Sequence, residues 1–153
     1  MDLDRTLPSA PPFGEVDVVY EAGRPGLSAR GWAALHVHTK NHLYEVDWTM
    51  QCLRVVDRRT GEPVPDHHLL GAFLTGGQSQ DGRRLALSHP LPPPGMEAVF
   101  EVRDGQRAGF ARTSEVERIV LRVRMINVAD DQPEPIWSEL SGSFPRLRAD
   151  QLK

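Results

Sequence analysis

At 153 residues, with 39% hydrophobic residues and a formal net charge of −3, the chain is long enough to bury a real core as one domain. So balanced a charge gives no pull toward nucleic acid or an anionic membrane surface. No run approaches the roughly 18 apolar residues that a membrane span needs. The single cysteine, Cys52, excludes an intramolecular disulfide and a cysteine-based zinc site, and in the context CLRVV it reads as a small buried hydrophobe. Thirteen prolines and thirteen glycines imply many turns between short strands.

Residues 1–13 are rich in proline and read as a flexible N-terminal tail. They lack the basic start and apolar run of a signal peptide, so the expected location is cytoplasmic. Residues 14–140 are expected to form a single β domain. Glu15 to Glu21, EVDVVYE, alternates with Val16, Val18 and Tyr20 on one face, the period of a strand. Ala22 to Arg30 is a loop punctuated by Gly23, Pro25 and Gly26.

Gly31 to Trp48, GWAALHVHTKNHLYEVDW, reads as a β-hairpin turning at Lys40-Asn41. That turn pairs His38 with Leu43, Val37 with Tyr44, His36 with Glu45 and Leu35 with Val46. One face becomes Ala33, Leu35, Val37, Tyr44, Val46 and Trp48. The other carries Ala34, His36, His38, Leu43, Glu45 and Asp47, with Trp32. One buried face fixes such a register strongly. The second face gathers two imidazoles and a carboxylate, donors suited to zinc, iron or manganese. They would serve equally as an acid/base pair in which the carboxylate raises the histidine pKa. A solvated face with cross-strand His–Glu pairs is the simpler reading.

The order Gly31, His36, His38 is similar to the first metal motif of the cupin barrel, which has Gly, then His-X-His, then Glu and Gly. Here Glu45 falls late, no glycine follows at the expected distance, and a second motif is missing. The resemblance therefore carries no ligand set over, and membership does not follow. Arg58-Arg59 similarly lacks the Asp/Asn-X-Ser-X-X-Gly that would follow it in a PilZ barrel.

Gln51 to Asp57 reads as a further strand and Arg58 to Pro65 as a turn. Asp66 to Thr75, DHHLLGAFLT, reads as a buried strand. His67 or His68 would be the third ligand if the hairpin held a metal. Gly76 to Gly82 reads as a loop, Arg83 to Ser88 as a short strand, and His89 to Gly95 as a stiff connector. Met96 to Arg103 and Gln106 to Thr113 flank Asp104-Gly105, the strongest turn signal of the chain. After a break at Ser114-Glu115, Val116 to Val128 reads as the longest strand. Its mixed face places Arg122 and Arg124 as candidates to meet an acidic partner, with their stems over apolar surface. Ala129 to Pro135 is an acidic loop, Ile136 to Leu140 a last strand or helical turn, and residues 141–153 a flexible or marginally helical tail.

Eight or nine short strands without a long helix predict an all-β, mainly antiparallel sandwich or barrel. The absence of a nucleophile constellation favours a non-catalytic domain that binds a protein partner or its own copy. It would need no cofactor and bind neither nucleic acid nor membrane. The alternative is a small metal-dependent enzyme, or a metal- or ligand-binding protein, with a divalent ion held by His36, His38, Glu45 and His67.

Overall fold

Alternating sequence becomes strand almost throughout the described part of the chain, which comprises residues 14–22 and 31–127 of this computed structural model. The strands are β1 (Glu15–Ala22), β2 (Leu35–Thr39), β3 (His42–Val46), β4 (Cys52–Asp57), β5 (Phe73–Asp81), β6 (Arg84–Ser88), β7 (Glu97–Asp104) and β8 (Arg107–Asn127). The fold is all-β, and every pairing but one is antiparallel. The expectations for residues 1–13, 23–30 and 128–153 lie outside the described residues.

The strands form one sheet in the order β4-β3-β2-β8-β7-β5-β6, with β1 added in parallel beside the C-terminal part of β8. The 21-residue β8 organises the sheet. Its first part, Arg107 to Glu115, pairs with β7. Val116 to Leu121 pair with β2, and Val120 to Asn127 with β1. At Val120 and Leu121 β8 therefore has β2 on one edge and β1 on the other. The Ser114-Glu115 break predicted between two strands is instead a register irregularity, where one continuous strand changes partner.

The sheet does not close. Its β4 end comes against β5, the strand next to the other end, where Gln51 bridges Phe73. There the Cys52 N–H donates to the Ala72 carbonyl and the Gly71 N–H to the Cys52 carbonyl, both at 2.8 Å. The curl encloses one core built from Leu35, Val37, Tyr44, Val46, Val55, Leu69, Leu74, Ala98, Phe100, Val116 and Ile119. Each large side chain sealed there contributes about 1.5–3 kcal/mol.

Two strand assignments are corrected. Leu69 and Leu70 sit in a turn, not a strand, because Gly71 adopts φ +79°; Leu69 is buried as the plug of that turn. Phe73 to Thr75 are strand as expected, and Gly76 to Asp81, read as a loop, continue that strand as β5. Gly76 and Gly77 allow β6 and the Leu91–Pro93 segment to lie against it. A Cβ on Gly76 would stand 2.0 Å from the Ser88 carbonyl oxygen, and one on Gly77 2.8 Å from Pro92 Cα. The glycines thus mark a close backbone approach rather than a loop.

Candidate functional site

The hairpin has the predicted register: Leu35 faces Val46, His36 faces Glu45, Val37 faces Tyr44 and His38 faces Leu43. Its tip is held from both sides. The Thr39 hydroxyl donates to the His42 carbonyl at 3.0 Å and accepts from the His42 N–H at 3.2 Å. The Arg58 guanidinium donates to the Thr39 carbonyl and to the Glu117 carboxylate. Leu35, Val37, Tyr44 and Val46 are buried as expected, whereas Trp48 is 43% exposed. It lies in a turn organised by Asp47, whose Oδ1 accepts from the Thr49 and Gln51 N–H groups at 2.8 and 3.0 Å.

On the opposite face His36 Nε2 lies 3.7 Å from Glu45 Oε1, too long for a hydrogen bond. That nitrogen is buried and has no hydrogen-bond partner. Glu45 is also 3.7 Å from Arg54 Nε, and the His36 and His38 ring centres are 6.2 Å apart. Glu45 does pull the His36 pKa upward, as expected, but it does not set the net direction. Burial lowers the pKa, and outweighs the opposing pull of Glu45. Burial, then Arg118, lowers that of His38. Both shifts favour the neutral imidazole, which weakens the His36–Glu45 contact as an ion pair.

His67 does not join them. Its ring lies 5.0 Å from His42, 5.7 Å from Tyr44 and 4.6 Å from His68. Tyr44 belongs to the core face of β3, so His67 sits across the sheet from His36 and His38. Its Nδ1 accepts the Leu69 N–H at 3.1 Å, which fixes the turn that seats Leu69. Burial first, then His68 and His42, lowers the His67 pKa. Alternation already placed His42 on the Tyr44 face, two residues away, and that was the available signal for this imidazole cluster. No group of three or more described His, Cys, Asp and Glu side chains is arranged to hold a metal ion.

Arg122 and Arg124 are placed over the Trp32 ring, with guanidinium carbons 4.6 and 5.5 Å from its centre. Arg122 Nε also reaches Asp17 Oδ2 at 3.6 Å, and Arg118 Nε reaches Glu15 Oε2 at 3.0 Å. Arg118 and Arg122 thus bind β1 to β8 across the outer face. Cys52 is buried, and burial pushes its thiol up to about 12, which removes it as a nucleophile.

The feature sequence reading missed is the other face of the β1–β8 ribbon. Val16 stands beside Leu121, Val18 beside Val123 and Tyr20 beside Met125. These residues continue the core face of Ile119, yet Val16 is 64% exposed, Val18 37%, Tyr20 79%, Leu121 46% and Met125 49%.

No family model, no curated protein and no solved structure matches this chain.

Function must therefore be read from the surface itself. Elsewhere, exposed Leu85, Leu87 and Phe110 are separated by Gln78, Gln80, Glu97 and Glu101 on the intervening strands. An open depression near them is lined by polar groups including Gln78, Glu97, Arg112 and Glu115. The ribbon face differs in being contiguous and uncharged.

Proposed function

We propose that this chain is a non-catalytic interaction domain that binds a protein partner or its own copy, and that the contact surface is the apolar face of the β1–β8 ribbon. The supporting observation is the row Val16, Val18, Tyr20, Leu121 and Met125, exposed on one face with no charge among them. Contiguous exposed apolar patches of this kind mark interaction sites. The outer edge of β1 has no strand paired to it among the described residues, and edges of that kind add strands from partners. The proposed role of Arg122 and Arg124 is to hold the ribbon and line its rim, with their guanidinium groups over Trp32. The proposed setting is the cytoplasm; Cys52, a buried free thiol, suits a reducing compartment. No helix of the described residues is long and apolar enough to cross a membrane.

The test is a photo-cross-linking residue placed at Tyr20 and, as control, at Arg83, which is exposed in the β5–β6 turn. A discrete protein adduct from the Tyr20 position, with none from Arg83, is the expected result. No adduct at Tyr20 in cells overturns the reading.

A second reading draws on one observation, the buried and unpartnered Nε2 of His36 beside Glu45. In that reading the chain is a small metal-dependent enzyme, or binds a metal or small ligand, through His36, His38 and Glu45. Metal content of wild type beside His36→Ala/His38→Ala tests it; a stoichiometric metal lost in the variant would favour it.

A further inference from the structure

We propose that the occupant of the ribbon face is a second copy of this chain, packed face to face on the same surface about a two-fold axis through Val18 and Val123. This inference rests on the interaction-domain reading and names its partner.

Area is the first argument. The five exposed apolar side chains leave roughly 500 Å² uncovered, the upper range for the largest patch of a monomer. A standard interface takes about 800 Å² from each partner, so the patch and a rim of neighbouring residues suffice.

Charge is the second. A surface that meets its own copy must be self-complementary, and a patch of one sign would repel itself. Positions 16, 18, 20, 121, 123 and 125 carry no charge. Glu15 and Asp17 lie on the opposite face, held by Arg118 and Arg122 of the same chain. A partner selected by charge would find nothing to read on this face, whereas an identical copy meets no like charge.

Shape is the third. Along the ribbon β1 grades from Val16 through Val18 to Tyr20, while β8 carries Leu121 and Met125, of similar bulk, on either side of Val123. A two-fold axis across the strands sets the Tyr20 end of one copy against the Val16 end of the other. Tyr20 then meets the smaller Val16, Met125 meets Leu121 of matching bulk, and the two valines at the centre allow close approach. Sheets packed in this way lie about 10 Å apart.

The experiment uses the full chain in three forms. Wild type is weighed by analytical ultracentrifugation at tens of micromolar, beside Tyr20→Lys, a change at a well-exposed position. Val18→Cys is treated with a short bis-maleimide and, separately, with a monofunctional maleimide. Cys52 is buried and leaves the new thiol as the reactive one. The expected result is a species of twice 17.1 kDa, dissociated at least tenfold more readily by Tyr20→Lys, with Val18→Cys cross-linked as a dimer. A dimer indifferent to Tyr20→Lys, with no cross-link at Val18→Cys, overturns the proposal by moving the interface elsewhere. A monomer whose Val18→Cys thiol is labelled at the rate of a free thiol also overturns it, but leaves the interaction-domain reading intact with a different protein as partner. A monomer whose Val18→Cys thiol is shielded means the chain covers this face itself, and overturns both.

Discussion

Two stretches of this chain carry the same pattern and come to opposite ends. In β2 and β3, Leu35, Val37, Tyr44 and Val46 alternate with polar residues and are sealed in the core. In β1 and the end of β8, Val16, Val18, Tyr20, Leu121 and Met125 alternate just as well and stay exposed. The difference lies in what stands across the sheet. The hairpin faces Leu74, Ala98 and Phe100 from β5 and β7. The ribbon extends past the point where β8 leaves β7, so no described strand faces it. Alternation records that a face is built for burial; it does not record which molecule supplies the cover.

The strongest way to break this contrast is to truncate one large residue from each region. Phe100 is 0% exposed and its ring lies 5.4 Å from Tyr44. Phe100→Ala should cost about 3–5 kcal/mol in urea unfolding. Tyr20→Ala, measured at a concentration where the chain is monomeric, should stay within about 0.5 kcal/mol. A comparable loss at Tyr20 would mean that its ring is buried within the monomer after all.

The next effect concerns the backbone. Gly76→Ala drives a Cβ into the Ser88 carbonyl at a φ of +148°, so β6 must move away from β5. A loss of about 2 kcal/mol or more is expected, with raised amide exchange confined to β5, β6 and the Leu91–Pro93 segment. Gly82→Ala meets nothing within 4 Å and bears only the strain of its φ of +56°. It is the control that separates crowding from backbone strain.

These glycines also show where sequence reading ran out. The hairpin register was legible because two faces of contrasting polarity allow only one parity. Gly76-Gly77 was misread because the same dipeptide serves a loop or a tight strand crossing, and only the position of Ser88 and Pro92 distinguishes them. Lys40-Asn41 is a weak turn sequence, and Arg58, far along the chain, supplies the contacts that hold its neighbour Thr39. His67 was named only as a third ligand for the hairpin, and sequence carried no sign that the turn around Gly71 sets its ring against His42 and Tyr44 instead. The functional face was visible as an apolar stripe but carried no sign of being open, since exposure depends on where β7 ends.

Acid should act on the body. His36, His38 and His67 all have pKa values held below the ordinary 6.5, chiefly by burial. The unfolded chain therefore binds more protons than the fold once the pH drops below about 6.5. Stability contributed by the neutral imidazoles is complete above that pH and declines as the pH falls through it. Urea midpoints at pH 7.5, 6.5 and 5.5 check this. His67 adds a specific step, because protonating Nδ1 removes the acceptor of the Leu69 N–H. Asn at position 67 keeps a side-chain acceptor for the N–H two residues on and does not titrate. His67→Asn should therefore flatten part of the pH dependence while leaving stability at pH 7.5 nearly unchanged.

The smallest effect is expected where chemistry looked most plausible. In His36→Ala/His38→Ala, packing of two half-buried rings over Val120 and Leu43 is lost. The cost of burying the unpartnered His36 Nε2 is lost with it, and the two changes oppose each other. Glu45 keeps Arg54 at 3.7 Å, so no carboxylate is stranded. The double variant should change stability by less than about 1 kcal/mol at pH 7.5. Below pH 6.5 it should be relatively more stable than wild type, since two imidazoles that resist protonation in the fold are gone. A loss several times larger, reversed by neither pH nor salt but accompanied by release of a bound ion, would transfer the functional site from the ribbon to the hairpin.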